Sequence, residues 1–152
     1  MHQLKILNSK ETKKMLEIAK DQHDCDIRLD YSFLESDENK IYLINKDIAK
    51  IDLSKLRLSS VGLYFGRIGE NGFEPSIEGS QMIGPDAKKN VVLLNDEEVK
   101  KWLRGEDIEK ETNYKGIVLL KNNENDFLGC GRIKNGKIIN LVPKERRLKY
   151  QS

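Results

Sequence analysis

The sequence predicts an α+β fold: a small antiparallel α/β domain over residues 1–88, then a compact β-barrel over residues 89–152. Three observations carry this. Strand-like and helical stretches come in mixed order, without the regular strand–helix alternation of a parallel sheet. After residue 88, short apolar runs follow one another closely between turn residues. The third is the stretch FLGCGRIKNGKIINLVPKERR, Phe127 to Arg147, which places strand-like runs Leu128 to Ile133 and Lys137 to Leu141 around Lys134-Asn135-Gly136. Asn-Gly between apolar runs is a strong hairpin signal, because a tight primed turn needs positive φ at both central residues.

His2 to Leu7 reads as a first strand. Asn8-Ser9 offers an N-cap to a helix from Lys10 to about Gln22, whose Thr12, Met15, Leu16 and Ala19 fall at i, i+3, i+4 and i+7. Ile27 to Phe33 and Lys40 to Ile44 read as strands joined by the polar loop Glu35 to Asn39, and Asn45 as the cap of a short helix holding Ile48, Ala49 and Ile51. Val61 to Ile68 is a strand that Glu70-Asn71-Gly72 turns back into Phe73-Glu74-Pro75. Ser76 then caps a helix from Ile77 to Ile83, ended by Gly84-Pro85. Asn90 to Leu94 suits a buried strand. Asn95 with Glu98 forms a capping box ahead of Val99, Trp102 and Leu103, one apolar face that Arg104-Gly105 closes. Gly116 to Leu120 and the Asn122–Asp126 turn lead into the hairpin, where Gly129 and Gly131 suit a bulge or the close approach of another backbone.

Charge is distributed unevenly. The chain of 152 residues carries net +2, yet residues 132–152 sum to +6 and the remainder to −4. Such asymmetry points to an anionic partner at one end. No run approaches the roughly 18 apolar residues needed to span a bilayer, and the first residues lack the apolar core of a signal peptide. Cys25 and Cys130, the two cysteines, have neither metal-like spacing nor a disulfide framework, which suggests a reducing cytoplasm. His23-Asp24-Cys25-Asp26 is a poor metal site, being adjacent in sequence with no second ligand cluster. Gly66, Gly69 and Gly72 have the wrong spacing and setting for a dinucleotide loop.

Residues 90–147 resemble a PUA domain, a small RNA-binding β-barrel, in the version found at the C-terminus of Fmu/Sun-type RNA cytosine-5 methyltransferases. The resemblance rests on Trp102-Leu103-Arg104-Gly105-Glu106-Asp107-Ile108, Gly116-Ile117-Val118-Leu119-Leu120, Phe127-Leu128-Gly129-Cys130-Gly131-Arg132 and Gly136 to Arg147. The plan of a pre-PUA domain before the PUA domain also resembles compact archaeal and eukaryotic ribosome-biogenesis factors. Ile41-Tyr42-Leu43-Ile44-Asn45 and Gly62-Leu63-Tyr64-Phe65-Gly66-Arg67 echo two of their strands. Members often have an aromatic residue where Val142 stands, Lys where Ile139 stands and proline where Phe127 stands, departures that bear on base stacking, a phosphate contact and the turn.

Methyl transfer to cytosine needs an activated thiolate. Neither cysteine has a basic neighbour, and two histidines supply no general-base system. The expectation is a cytoplasmic, non-enzymatic protein without cofactor or metal, acting on rRNA or tRNA in ribosome biogenesis, rRNA processing or RNA modification. Its protein partners would be ribosome-assembly or RNA-modification proteins, with no membrane association. Arg104, Gly105, Arg132, Lys134, Lys137, Lys144, Arg146 and Arg147 form the expected RNA-facing set, Gly105 by letting backbone approach a phosphate, with Tyr114 and Lys115 beside them. Two alternatives stand: a detached targeting subunit of a methyltransferase, and a protein–protein scaffold that does not bind RNA.

Overall fold

The structure, a computed structural model, describes residues 4–46 and 62–148. Its strands are β1 (Leu4–Ile6), β2 (Ser32–Ser36), β3 (Lys40–Ile44), β4 (Leu63–Gly69), β5 (Gly72–Pro75), β6 (Val91–Leu93), β7 (Ile108–Glu109), β8 (Ile117–Lys121), β9 (Phe127–Lys134) and β10 (Lys137–Asn140). The helices are α1 (Ser9–His23), α2 (Ile77–Ile83) and α3 (Asp96–Leu103), with single 3-10 turns at Gly84–Asp86 and Lys144–Arg146. Strands β1 to β5 form an antiparallel meander in chain order. The second sheet runs β6-β8-β9-β10-β7 and curls into a half-barrel, giving the α+β class that the sequence predicts. Its one parallel pair, β6 with β8, arises because α3 and β7 lie between those strands in the chain.

Local chemistry sets most boundaries. Asn8 and Asn95 each accept from the backbone N–H three residues on, and Glu11 and Glu98 reach back to the cap N–H, so both capping boxes are closed. Ser76 Oγ accepts from Gly79 N–H at 2.9 Å and donates to the Tyr64 carbonyl at 2.6 Å, fixing α2 against β4. The expected helix after Lys46 lies outside the described residues.

One expectation is corrected. Ile27 to Tyr31 is irregular rather than a strand, while Glu35 and Ser36, expected in a loop, belong to β2. The turn decides this: Asn39 adopts a left-handed φ of 61° and its N–H donates to the Ser36 carbonyl at 3.1 Å. That turn sets Glu35 opposite Ile41 and Ser32 opposite Ile44, so the ladder ends before residue 31. The alternation of Ile27 and Leu29 with Arg28 and Asp30 reports burial, not pairing.

The larger core joins the two sheets. Phe33, Ile41, Leu43, Phe65 and Phe73 of the first sheet pack with Met15 and Ala19 of α1 and with Ile117, Leu119, Phe127 and Cys130 of the second. The Phe65 ring lies 5.9 Å from Phe33, edge to face, and 5.0 Å from Phe73. The smaller core, on the other face of the second sheet, holds Val92, Leu94, Trp102, Ile108, Val118, Leu120, Ile138 and Val142. Strand β8 is thus buried on both faces, which explains its unbroken apolar run.

The end of α1 locks the segment that connects the sheets. Gln22 exchanges two hydrogen bonds with the Phe73 backbone, and its own carbonyl accepts from Asn90 Nδ2 at 2.6 Å. The His23 carbonyl accepts from Lys88 and Lys89 N–H groups. The fully buried His23 ring places Nδ1 3.3 Å from the Lys89 carbonyl and Nε2 2.9 Å from Gln22 Nε2. Burial pulls its pKa from 6.5 down to about 4.

Because the folded pKa is depressed, the unfolded chain takes up the proton first as pH falls. Stability owed to neutral His23 is complete above pH 6.5 and is lost progressively down to about pH 4, where the deficit is on the order of 3 kcal/mol. Urea titrations of the full chain at pH 7 and pH 5 should show a clear stability drop, flattened in the His23→Gln variant; equal drops in both proteins would remove His23 as the cause.

Candidate nucleic-acid interface

The β9–β10 hairpin closes through Asn135 and Gly136, whose φ values of 50° and 76° are those of a two-residue primed turn. Register pairs Lys134 with Lys137 and Arg132 with Ile139. At its start β9 bulges: Leu119 opposes Cys130 while Lys121 opposes Phe127, and Gly129 absorbs the extra residue at φ 96°. Gly129 N–H donates to Ser80 Oγ at 2.9 Å, tying the bulge to α2. Gly131 meets the expected close approach: a β-carbon there would lie 2.5 Å from Ile138 Cγ2 and 2.9 Å from both Trp102 Cη2 and the Ile139 carbonyl.

The predicted basic residues fall into two groups, one on the β9–β10 hairpin and one near the end of α3. Strand alternation directs Gly131 and Ile138 at Trp102, so Arg132, Lys134 and Lys137 occupy the other face. Arg132 lines a cleft of about 490 Å³ with Arg67, where Glu35, Glu70 and Glu74 outnumber the two guanidinium groups. Lys137 Nζ stands 4.0 Å from Glu109, an exposed pair of small energetic value. Lys134 is exposed at the hairpin tip.

The second group gathers where α3 ends. Arg104 Nε lies 3.0 Å from Glu106 Oε2. Gly105 takes φ 90° and donates its N–H to the Trp102 carbonyl, which leaves that donor satisfied within the helix end. A β-carbon on Gly105 would fall 2.2 Å from Arg147 Cδ, so this glycine makes room for the Arg147 side chain. Arg147 in turn donates from Nε to the Val142 carbonyl at 2.9 Å. Arg146 pairs with Glu78 of α2, whereas Lys144 is exposed. Val142, expected where an aromatic residue would stack on a base, has its side chain buried in the smaller core; its departure concerns packing.

Sequence reasoning missed Asn140, the residue that positions this second group. Asn140 is buried, with Nδ2 donating to the carbonyls of Trp102 at 2.9 Å and Glu106 at 3.1 Å. Its Oδ1 accepts from Val142 N–H at 2.9 Å, and its own N–H donates to Asp107 Oδ1 at 2.8 Å. One signal was available: alternation from Ile138 puts Asn140 on the core face, and a polar residue there must be serving buried backbone. Also missed was β7, a two-residue edge strand too short to announce itself.

The thiols are poor nucleophiles. Burial pushes the Cys130 thiol far above its ordinary range, and burial followed by nearby carboxylates raises Cys25. Among the described residues there is no cluster of metal-ligating side chains, and no helix is long and apolar enough to cross a membrane.

Comparison with known proteins agrees with this architecture. Residues 89–148 match the family described as the methyltransferase RsmF PUA domain. The ribosomal RNA small subunit methyltransferases F of Vibrio vulnificus strains YJ016 and CMCP6 are each 25% identical to this chain over 108 residues, 71% of its length. The chain spans about a fifth of those curated relatives, 22% of each. Residues 89–148 therefore form a PUA domain similar to the C-terminal module of the Fmu/Sun-type enzymes.

Replacing Asn140 by Ala would strand the Glu106 carbonyl and the Val142 N–H and take one of two donors from the Trp102 carbonyl, which Gly105 N–H still reaches. The expected cost is about 2–4 kcal/mol. Chemical denaturation measures it, and a loss below about 0.5 kcal/mol, the scale of an ordinary surface change, would show that water or local adjustment replaces these bonds.

Proposed function

We propose that this chain is a non-catalytic RNA-binding protein that acts on rRNA, or tRNA, in cytoplasmic ribosome biogenesis or RNA modification. The observation that carries the reading is the PUA-domain match over residues 89–148, in a segment whose relatives are ribosomal RNA methyltransferases. Residues 1–88 are the pre-PUA domain in this reading and residues 89–152 the RNA-binding module. The buried, unactivated thiols support binding without methyl transfer.

Physically, lysine and arginine near the hairpin neutralise phosphates and release counterions, which supplies affinity. Sequence choice in RNA comes from unstacked bases and 2′-hydroxyls. Arg132, Lys134 and Lys144 make no ion pair with any described residue, so they meet a phosphate without first surrendering a carboxylate.

A second reading has one observation in its favour. The similarity to the methyltransferases extends over 108 residues, beyond the 60 residues of the PUA match, so the chain corresponds to a larger part of those enzymes than the barrel. A targeting subunit that delivers RNA to a separate methylase would have this relationship. It predicts co-purification of a methylase with the tagged chain.

Crosslinking the protein to RNA in its native cells and sequencing the attached fragments tests the main reading. A discrete rRNA or tRNA site is the expected result; no enrichment over an untagged control would overturn it in favour of a protein scaffold. In vitro, the combined change of Arg132, Lys134 and Lys144 to Ala should lower the slope of log affinity against log salt by about 2, at roughly 0.7 per lost single-strand phosphate contact. An unchanged slope would remove these residues from the interface.

A further inference from the structure

A second basic surface lies away from the predicted basic residues and includes Tyr114, which the sequence places beside them. A groove of about 510 Å³ runs between the segment that connects the sheets and strands β6 and β8, and Lys88, Lys89, Lys121, Tyr114 and Leu93 are among its lining residues. The lining carries these three lysines and no carboxylate. That contrasts with the cleft beside Arg132, where acids outnumber bases. None of the three lysines makes an ion pair with a described residue, and the one polar contact of their ammonium groups is Lys121 Nζ to Asn125 Oδ1 at 3.2 Å. The nearby Asp126 carboxylate is held by Asn122 Nδ2 at 3.1 Å.

Large apolar groups are also left open beside these cations. Tyr114 is 38% exposed and Leu93 49% exposed, although Val92 and Leu94 on either side of Leu93 are buried. The backbone beneath is firmly set: Lys88 and Lys89 are pinned to the His23 carbonyl, and Leu93 pairs in register with Lys121. Lysines on a fixed backbone beside a partly exposed tyrosine are the components of a single-strand site, in which phosphates meet the cations and a base stacks on the ring. A duplex offers its phosphates but hides its base faces, so it would leave Tyr114 and Leu93 without a role.

We infer that this groove is a binding site for single-stranded RNA, with Lys88, Lys89 and Lys121 contacting the phosphodiester backbone and Tyr114 stacking on an unpaired base. The inference rests on the RNA-binding reading above and adds a site that lies outside the C-terminal hairpin. It also gives the segment between the sheets a direct share in recognition.

The test uses the full chain and a fluorescein-labelled single-stranded RNA of mixed sequence, its duplex form, and a labelled polyglutamate peptide. Wild type should bind the single strand with strong salt dependence and prefer it to the duplex. The triple change of Lys88, Lys89 and Lys121 to Ala should reduce the salt slope by about 2. Tyr114→Ala should weaken single-strand binding about five-fold or more while leaving the slope unchanged. These positions are exposed or lie on the rim, and circular dichroism melts check that the variants remain folded. If wild type binds RNA but the lysine variant keeps its full slope, the groove proposal falls and the RNA reading stands. If the folded wild type binds neither RNA form, both fall. Equal affinity for duplex and single strand with no effect of Tyr114→Ala overturns the stacking site, as does a preference for polyglutamate over RNA.

Discussion

The second sheet depends on the bonds of Asn140. A buried side-chain amide on a core-facing position must find hydrogen-bond partners there, and in this sheet they are backbone groups. Here it accepts from Val142 and donates to Trp102 and Glu106, drawing together the end of α3, the loop carrying Arg104 and Gly105, and the strand exit toward Lys144. Trp102 reinforces the same junction by donating from Nε1 to the Leu128 carbonyl at 2.8 Å. Residues 102–106, Leu128 and residues 140–142 are thereby held in one arrangement. The basic side chains they carry are displayed by a scaffold whose own polar groups are already paired.

A second constraint is that β8 has no solvent face from Ile117 to Leu120. Ile117 and Leu119 belong to the core shared with the first sheet, while Val118 and Leu120 belong to the core under Trp102. Burying both faces of one strand makes the meander a structural cover for the half-barrel. The α2 helix fills the remaining seam, with Ser76 bonded to β4 and Ser80 to the β9 bulge. A β-carbon on Gly79 would stand 2.1 Å from the Phe65 carbonyl, so the helix approaches that strand as closely as a glycine permits.

Elements fixed by local chemistry were legible in the sequence. The Asn8-Ser9 cap, Asn95 with Glu98, Ser76 and Asn135-Gly136 each specify a boundary through atoms within a few residues, and each boundary stands within one residue of where the sequence places it. Elements fixed from a distance were not. Residues 27–31 carry a strand pattern but lose their ladder to a register dictated by Asn39, and β7 exists only because β10 lies alongside it. Asn140 was hidden for a related reason: its partners other than Val142 are more than thirty residues away, so no window of sequence contains the network. The candidate site divides in the same manner. Basic residues of the hairpin can be counted in a line of sequence, whereas the groove between Lys88 and Lys121 is assembled by tertiary packing alone.

Charge counted along the chain and charge available in space also differ. The +6 of residues 132–152 suggests a continuous cationic surface, yet acids from elsewhere meet part of it: Glu78 takes Arg146, and Glu109 faces Lys137. Arg147 is held over Gly105 and bonded to a carbonyl, so its guanidinium also braces the fold. Conversely, residues 1–131 sum to −4, and that region supplies the three lysines of a groove with no carboxylate in its lining. Screening confines electrostatic attraction to about 8 Å in physiological salt, so a phosphate responds to the charges lining its own groove far more than to the net charge of a segment. On the proposed RNA-binding reading, the local arrangement of cations, rather than the terminal excess, selects where a strand would lie.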